Sequence, residues 1–185
     1  MHSPVKLLLF NDEILSLALD ADENLYAGGK FTTVDGATTV NGVARWDGAA
    51  WLPLGSGLVG EFNGVYAMAI DAANHLYVTG RFTTAGGVIV NHVARWDGAA
   101  WHALGDGLSY GGTAYGYAIL TQGSNLFVGG LFTHAGGAPA PYIARWDGTG
   151  WHALGSSVDY TVRALADDGH GGIYVGGEFG SAGGA

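Results

Sequence analysis

The octapeptide Ala44–Trp51, ARWDGAAW, returns as Ala94–Trp101 and, in the form ARWDGTGW, as Ala144–Trp151, each copy starting 50 residues after the last. A fixed period of that length means one supersecondary unit written repeatedly. No copy can bury its apolar face alone, so each must stack on its neighbour. The rest of the unit is legible around the octapeptide. Alternating apolar runs recur at Ile14–Asp20, Val65–Asp71, Tyr115–Thr121 and Val162–Asp168. A short polar turn follows each, and then a second run that ends in a glycine pair and a phenylalanine. These second runs are Leu25–Phe31, Leu76–Phe82, Leu126–Phe132 and Ile173–Phe179, with Thr79 standing for the first glycine in the second copy. Short runs of period two joined by such turns predict a β-hairpin.

The octapeptide predicts a second hairpin. Its strands flank Asp47-Gly48, Asp97-Gly98 and Asp147-Gly148, a dipeptide that favours a type I′ turn. Trp46 with Trp51, Trp96 with Trp101 and Trp146 with Trp151 then fall on paired strands, where aromatic packing across strands or between units is expected. Thr83–Asn91 and Asp106–Ala114 read as loops. Two hairpins per repeat make one four-stranded antiparallel sheet, and radial stacking of such sheets is the β-propeller. Helices are excluded because no apolar stretch keeps a 3.6 period for three turns. The 34 glycines among 185 residues, more than twice the usual share, suit a turn-rich all-β chain.

The pattern IYVGG, RWDG and a later Trp-x-x-Leu-Gly (Trp101, Leu104, Gly105) resembles kelch repeats. The fuller wording FTTAGG…N…ARWDGxxWxxLG is similar to kelch-like repeats of bacterial secreted or surface proteins and of a fungal cortical polarity-marker family. The resemblance implies a propeller with blades of about 50 residues, and an extracellular or cell-surface setting. The chain divides into one repeat domain, 1–185: an N-terminal extension (1–13), repeats at 14–64, 65–114 and 115–161, and a partial repeat at 162–185. Three full blades and one partial blade leave the ring incomplete. A fragment of a larger ring is the first expectation, and a homodimer that completes one is the second. The Val5–Phe10 run is a further candidate strand, for the outer edge of the fourth blade. At six residues, with Lys6 inside it, it is too short for a signal-peptide core or a membrane span.

Composition narrows the chemistry. The net charge is −9, with five scattered arginines among seven basic residues and no basic stripe of the kind a nucleic-acid binder carries. With no cysteine, thiolate catalysis, disulfides and Cys-ligated zinc are ruled out. Asp20, Asp22 and Asn24 open like a calcium loop, but the following glycine and distant glutamate are lacking, so a hairpin turn is the better reading. His102 and His152 share a repeat position without metal-ligand spacing. No cofactor or metal is therefore expected.

Residues shared by all copies answer a packing problem that every unit must solve. That reading covers the six tryptophans, Asp47, Asp97 and Asp147, and also Arg45, Arg95 and Arg145, which are expected to pair with a loop carbonyl or a nearby aspartate. Residues that differ between copies are where a function can be grafted. The position after the glycine pair is Lys30, Arg81, Leu131 and Glu178 in turn, and Asp35 and His134 follow in the next loops. Lys30, Asp35, Arg81, His134 and Glu178 are thus the candidate binding residues. The expected function is a non-catalytic binding or structural module for a protein or glycan partner. The alternative is part of a propeller-type carbohydrate-active enzyme, a glycosidase or lyase, although no catalytic pair is visible.

Overall fold

The computed structural model describes residues 9–60, 64–112, 114–154 and 158–182. All regular structure there is strand, and none of it is a helix able to cross a membrane. The first unit holds β1 (Ile14–Leu19), β2 (Leu25–Gly29), β3 (Thr33–Val34), β4 (Thr38–Thr39), β5 (Val43–Trp46), β6 (Trp51–Pro53) and β7 (Leu58–Val59). The second holds β8 (Gly64–Ile70), β9 (Leu76–Arg81), β10 (Thr84–Ala85), β11 (Val88–Ile89), β12 (Val93–Trp96), β13 (Trp101–Ala103) and β14 (Leu108–Ser109). The third holds β15 (Tyr115–Gln122), β16 (Asn125–Leu131), β17 (His134–Ala135), β18 (Ala138–Pro139), β19 (Ile143–Trp146) and β20 (Trp151–Ala153), and the hairpin of β21 (Val162–Asp167) and β22 (Ile173–Gly177) follows.

Each full unit is a four-stranded antiparallel sheet, β1-β2-β5-β6, β8-β9-β12-β13 and β15-β16-β19-β20. The segments expected as loops carry a second set of small sheets. β7 leaves the first unit and pairs with the β10–β11 hairpin of the second, and β14 does the same with β17–β18 of the third. The chain between two units therefore latches them together through backbone hydrogen bonds. Phe10 bridges to Val34 of the first unit, as Leu58 pairs with Ala85, the equivalent residue of the second. The remainder of the Val5–Phe10 run, apart from Leu9, lies outside the described residues.

Two apolar clusters span the joints between full units. One joins Val43, Leu54 and Leu58 to Leu76, Val78 and Trp101, and the other joins Val93, Leu104 and Leu108 to Leu126, Val128 and Trp151. The Trp101 indole N–H donates across the first joint to the Leu54 carbonyl at 2.9 Å, and Trp151 donates to Leu104 at 2.7 Å. Within a unit the tryptophans pair as expected, with ring centroids 5.8, 5.4 and 5.5 Å apart.

The glycine pair has two separate tasks. A Cβ on the second glycine (Gly29, Gly80, Gly130 or Gly177) would strike the backbone carbonyl oxygen of Glu13, Gly64, Tyr115 or Thr161. That carbonyl lies at the start of the first strand or on the residue just before it, and the strand folds over the glycine through a β-bulge. The first glycine faces the next unit: a Cβ on Gly28 would stand 2.6 Å from Val65 Cγ1, and one on Gly129 would overlap Val162. The second unit reverses the sizes, setting Thr79 against Gly116. The Thr79 hydroxyl there donates to the His92 carbonyl at 2.8 Å.

The octapeptide hairpin differs from the expected type I′ turn. Gly48, Gly98 and Gly148 take positive φ, but the preceding aspartates do not. The loop has four residues, 47–50, because the Asp47 carboxylate accepts the backbone N–H groups of Ala49 and Ala50, both at 2.9 Å. Asp97 and Asp147 cap their loops in the same way. These hydrogen bonds hold the carboxylates below their ordinary range: from Ala50 and Ala49 at Asp47, from Ala100, Ala99 and His102 at Asp97, and from the Thr149 and Gly150 amides at Asp147. A carboxylate depressed in the folded state stabilises the fold above its unfolded pKa of about 3.9, and that contribution is lost as pH falls through the folded value. The urea midpoint should therefore drop progressively as pH is lowered below about 4. An Asp47→Asn, Asp97→Asn, Asp147→Asn triple variant should show a flatter profile.

Candidate functional site

The bulge in each first strand inserts one unpaired residue between two paired ones. These are Leu15 in β1, Tyr66 in β8, Tyr117 in β15 and Arg163 in β21. A bulge re-aims the extra side chain out of the regular alternation. Because β1 packs beside β8, β8 beside β15 and β15 beside β21, the four extra residues meet. Together with Lys30 they line one open cavity of about 390 Å³.

Its walls are aromatic and charged. The Tyr66 and Tyr117 rings stack at 5.6 Å, and Tyr115 stacks on Tyr117 at 5.7 Å. The Arg163 guanidinium lies 4.0 Å from the Tyr117 ring centroid, and Arg81 lies 5.2 Å from that of Tyr115. Lys30 pairs with Glu13 at 2.7 Å, and Arg163 Nε and Nη2 donate to Glu178 at 3.1 and 2.9 Å. Burial, followed by the neighbouring Tyr117, raises the pKa of the Tyr66 phenol, against the opposing pull of Lys30 and Arg81. Tyr66 therefore stays a neutral donor and acceptor at physiological pH.

Three of the five candidate binding residues gather around this mouth. Lys30 lines it, Glu178 holds Arg163, and Arg81 covers Tyr115. Asp35 and His134 sit elsewhere, the first in the turn between β3 and β4 and the second on β17. Asp35, at φ +52°, donates its backbone N–H to the Leu9 carbonyl, and His134 pairs with Ser109 while its Nδ1 lies 2.9 Å from the Thr133 hydroxyl. Leu15, Tyr66, Tyr117 and Arg163 were not singled out by sequence reasoning. The signal was only partial: aligned on the glycine pair, the second position of the first runs reads Leu15, Tyr66, Gly116 and Arg163, so Tyr117 falls one place out of step.

The repeated residues do other work. Arg45 stands opposite Tyr26 and Arg95 opposite Tyr77 on paired strands. Arg145, opposite Phe127, donates instead to the Asn125 side chain at 2.9 Å. Asp20 caps its own turn through the Asp22 and Asn24 amides. His102 and His152 bond Asp97 and Asp147 of their own hairpins. Among the described residues no group of three His, Asp or Glu side chains is placed to hold a metal ion.

A larger cavity, about 590 Å³, lies between the third sheet and the β21–β22 hairpin and is lined by Ile143, Leu154, Val158, Ile173 and Val175. These are the repeat equivalents of the residues buried beneath Trp101 and Trp151 at the two earlier joints. It is a packing surface, and the smaller mouth is the better functional candidate because its lining differs from unit to unit.

A scan against known protein families finds no match for this chain, and a search of curated proteins finds no relative.

Proposed function

We propose that the chain is part of a kelch-like β-propeller. In this reading its four-stranded sheets are blades, with β1, β8, β15 and β21 innermost. It serves as a non-catalytic binding module for a glycan or protein partner outside the cell or on its surface. The repeat wording supports the propeller, as do the side-by-side first strands and the indole-to-carbonyl bonds from each unit to the one before. The observation that carries the binding role is the convergence of unlike residues on a scaffold of like ones. Of the described basic residues, Arg45, Arg95 and Arg145 belong to the repeat, and the others, Lys30, Arg81 and Arg163, all stand around the mouth. Packing alone would favour the same residue in every unit, as it does for the tryptophans.

The test is binding of the 185-residue chain to glycan and peptide arrays, beside a Lys30→Ala, Tyr117→Ala, Arg163→Ala variant with an unchanged circular dichroism spectrum. Ligands retained by the native chain and lost by the variant are the expected result. Ligands bound equally by both would move the binding surface elsewhere and overturn the reading.

A further inference from the structure

We propose that the mouth takes a neutral hexopyranose residue of a glycan. The inference rests on the reading of the mouth as a binding face and specifies its ligand.

A neutral pyranose presents an apolar C–H face and a girdle of hydroxyls, each of which donates and accepts. The lining offers a counterpart to both. Leu15 and the stacked Tyr66–Tyr117 pair supply the apolar surface. At a centroid spacing of 5.6 Å two near-parallel rings are offset rather than superposed, so part of each face is left for the C–H groups that aromatic faces attract. The hydroxyl partners flank the rings. Lys30, whose charge acts on Tyr66, is paired with Glu13, and Arg163, 4.0 Å from the Tyr117 centroid, is paired with Glu178. Each couple sets a donor beside an acceptor, and vicinal hydroxyls can satisfy both halves at once. Most peptide side chains meet only one half. Both couples are about half exposed. Such pairs contribute little to stability, so sharing them with a ligand costs little. The volume, about 390 Å³, falls in the range of small-ligand sites.

The charges are arranged against ions of either sign. A ligand carboxylate approaching Lys30 or Arg163 would meet Glu13 or Glu178, and Asp12 acts on Lys30 as well. A ligand cation would meet Lys30 and Arg163 themselves. A neutral polyol meets neither penalty and keeps both ion pairs whole. The Tyr66 phenol, beside Lys30 in the lining, adds a further group that both donates and accepts.

Calorimetric titration of the 185-residue chain with galactotriose, glucotriose and mannotriose, and with trimers of galacturonate, glucuronate and mannuronate as acidic counterparts, tests the proposal. At least one neutral trimer should bind with a Kd of about 1 mM or below, and at least about threefold more tightly than its acidic counterpart. Its affinity should change by less than about twofold as salt is raised, because the ligand carries no charge to screen. Tyr117→Ala should weaken it by roughly three- to tenfold, the range of one aromatic contact. The double variant Glu13→Gln, Glu178→Gln should weaken it by about fivefold or more, through the loss of two charged acceptors. The acidic counterpart should gain from the same variant, since two like charges are removed. Circular dichroism of each variant should match the native chain.

An acidic trimer held more tightly than its neutral counterpart by the native chain overturns the proposal. So does the absence of neutral binding, or neutral binding that survives both Tyr117→Ala and the double variant. If the array ligands lost with the mouth variant are peptides or acidic glycans only, the neutral-sugar assignment fails while the binding face stands. If no array ligand depends on the mouth, both fail.

Discussion

Trp101→Ala is expected to lower the unfolding free energy by about 3–5 kcal/mol, the range for truncating a buried tryptophan. Only 5% of Trp101 is exposed, and the residue sits in the cluster that joins the first two units. Its indole lies beside the positions that a Cβ on Gly55 or Gly86 would occupy, so the truncation opens a joint rather than a local pocket. The loss should appear as a lower urea midpoint with full cooperativity, since β7 still latches the units. A change below about 1 kcal/mol would show that the joint is not held by this residue. A milder series isolates the hydrogen bond. Trp101→Phe removes an N–H that reaches Leu54, whereas the buried Trp51 N–H finds no acceptor among the described residues. Trp101→Phe should therefore cost about 1 kcal/mol more than Trp51→Phe, the usual net worth of one such bond.

Gly116→Val is expected to destabilise by about 3 kcal/mol or more, at the upper end of overpacking, because the new Cβ would overlap the Thr79 hydroxyl. Adding Thr79→Gly should restore most of that loss. The double variant recreates the arrangement of the first joint, where Gly28 receives Val65, and of the third, where Gly129 receives Val162. Thr79→Gly alone should cost about 1–3 kcal/mol, from the cavity left against Gly116 and the lost bond to His92. The two changes should thus couple by about 3 kcal/mol, the upper end for neighbours, in a double-mutant cycle. Simple additivity would show that the joint relaxes around either residue and that the exchange of sizes is incidental.

The Thr79–Gly116 pair also shows where sequence reading stopped. Thr79 is visible as an exception to the glycine pair, and Gly116 stands where the second and fourth runs have Val65 and Val162. Nothing in a linear reading connects them, because their contact crosses from one unit to the next. The same applies to the mouth. Lys30, Arg81 and Glu178 stood out by following the glycine pair, but Tyr66, Tyr117 and Arg163 looked like ordinary members of alternating runs. A bulge adds a residue without changing the run's apolar character, so its position is set by pairing register and not by composition. Asp35 and His134 show the converse. They vary in sequence as a site residue should, yet the small sheets hold them apart from the cavity. Two-residue strands such as β7 and β10 are too short to have a period, and a reader sees only a Thr/Gly-rich loop.

Local chemistry is written directly into the chain: the 50-residue period, both hairpins of each unit, the paired tryptophans and the absence of helices follow from alternation, turn residues and repetition. Those features depend on neighbours a few residues apart, which the sequence lists side by side. The latching of one unit to the next, the matching of sizes across each joint and the meeting of Leu15, Tyr66, Tyr117 and Arg163 were decided by tertiary structure alone. They depend on residues about 50 positions apart, whose proximity exists only once the first strands pack side by side and each bulge turns its extra side chain toward the others.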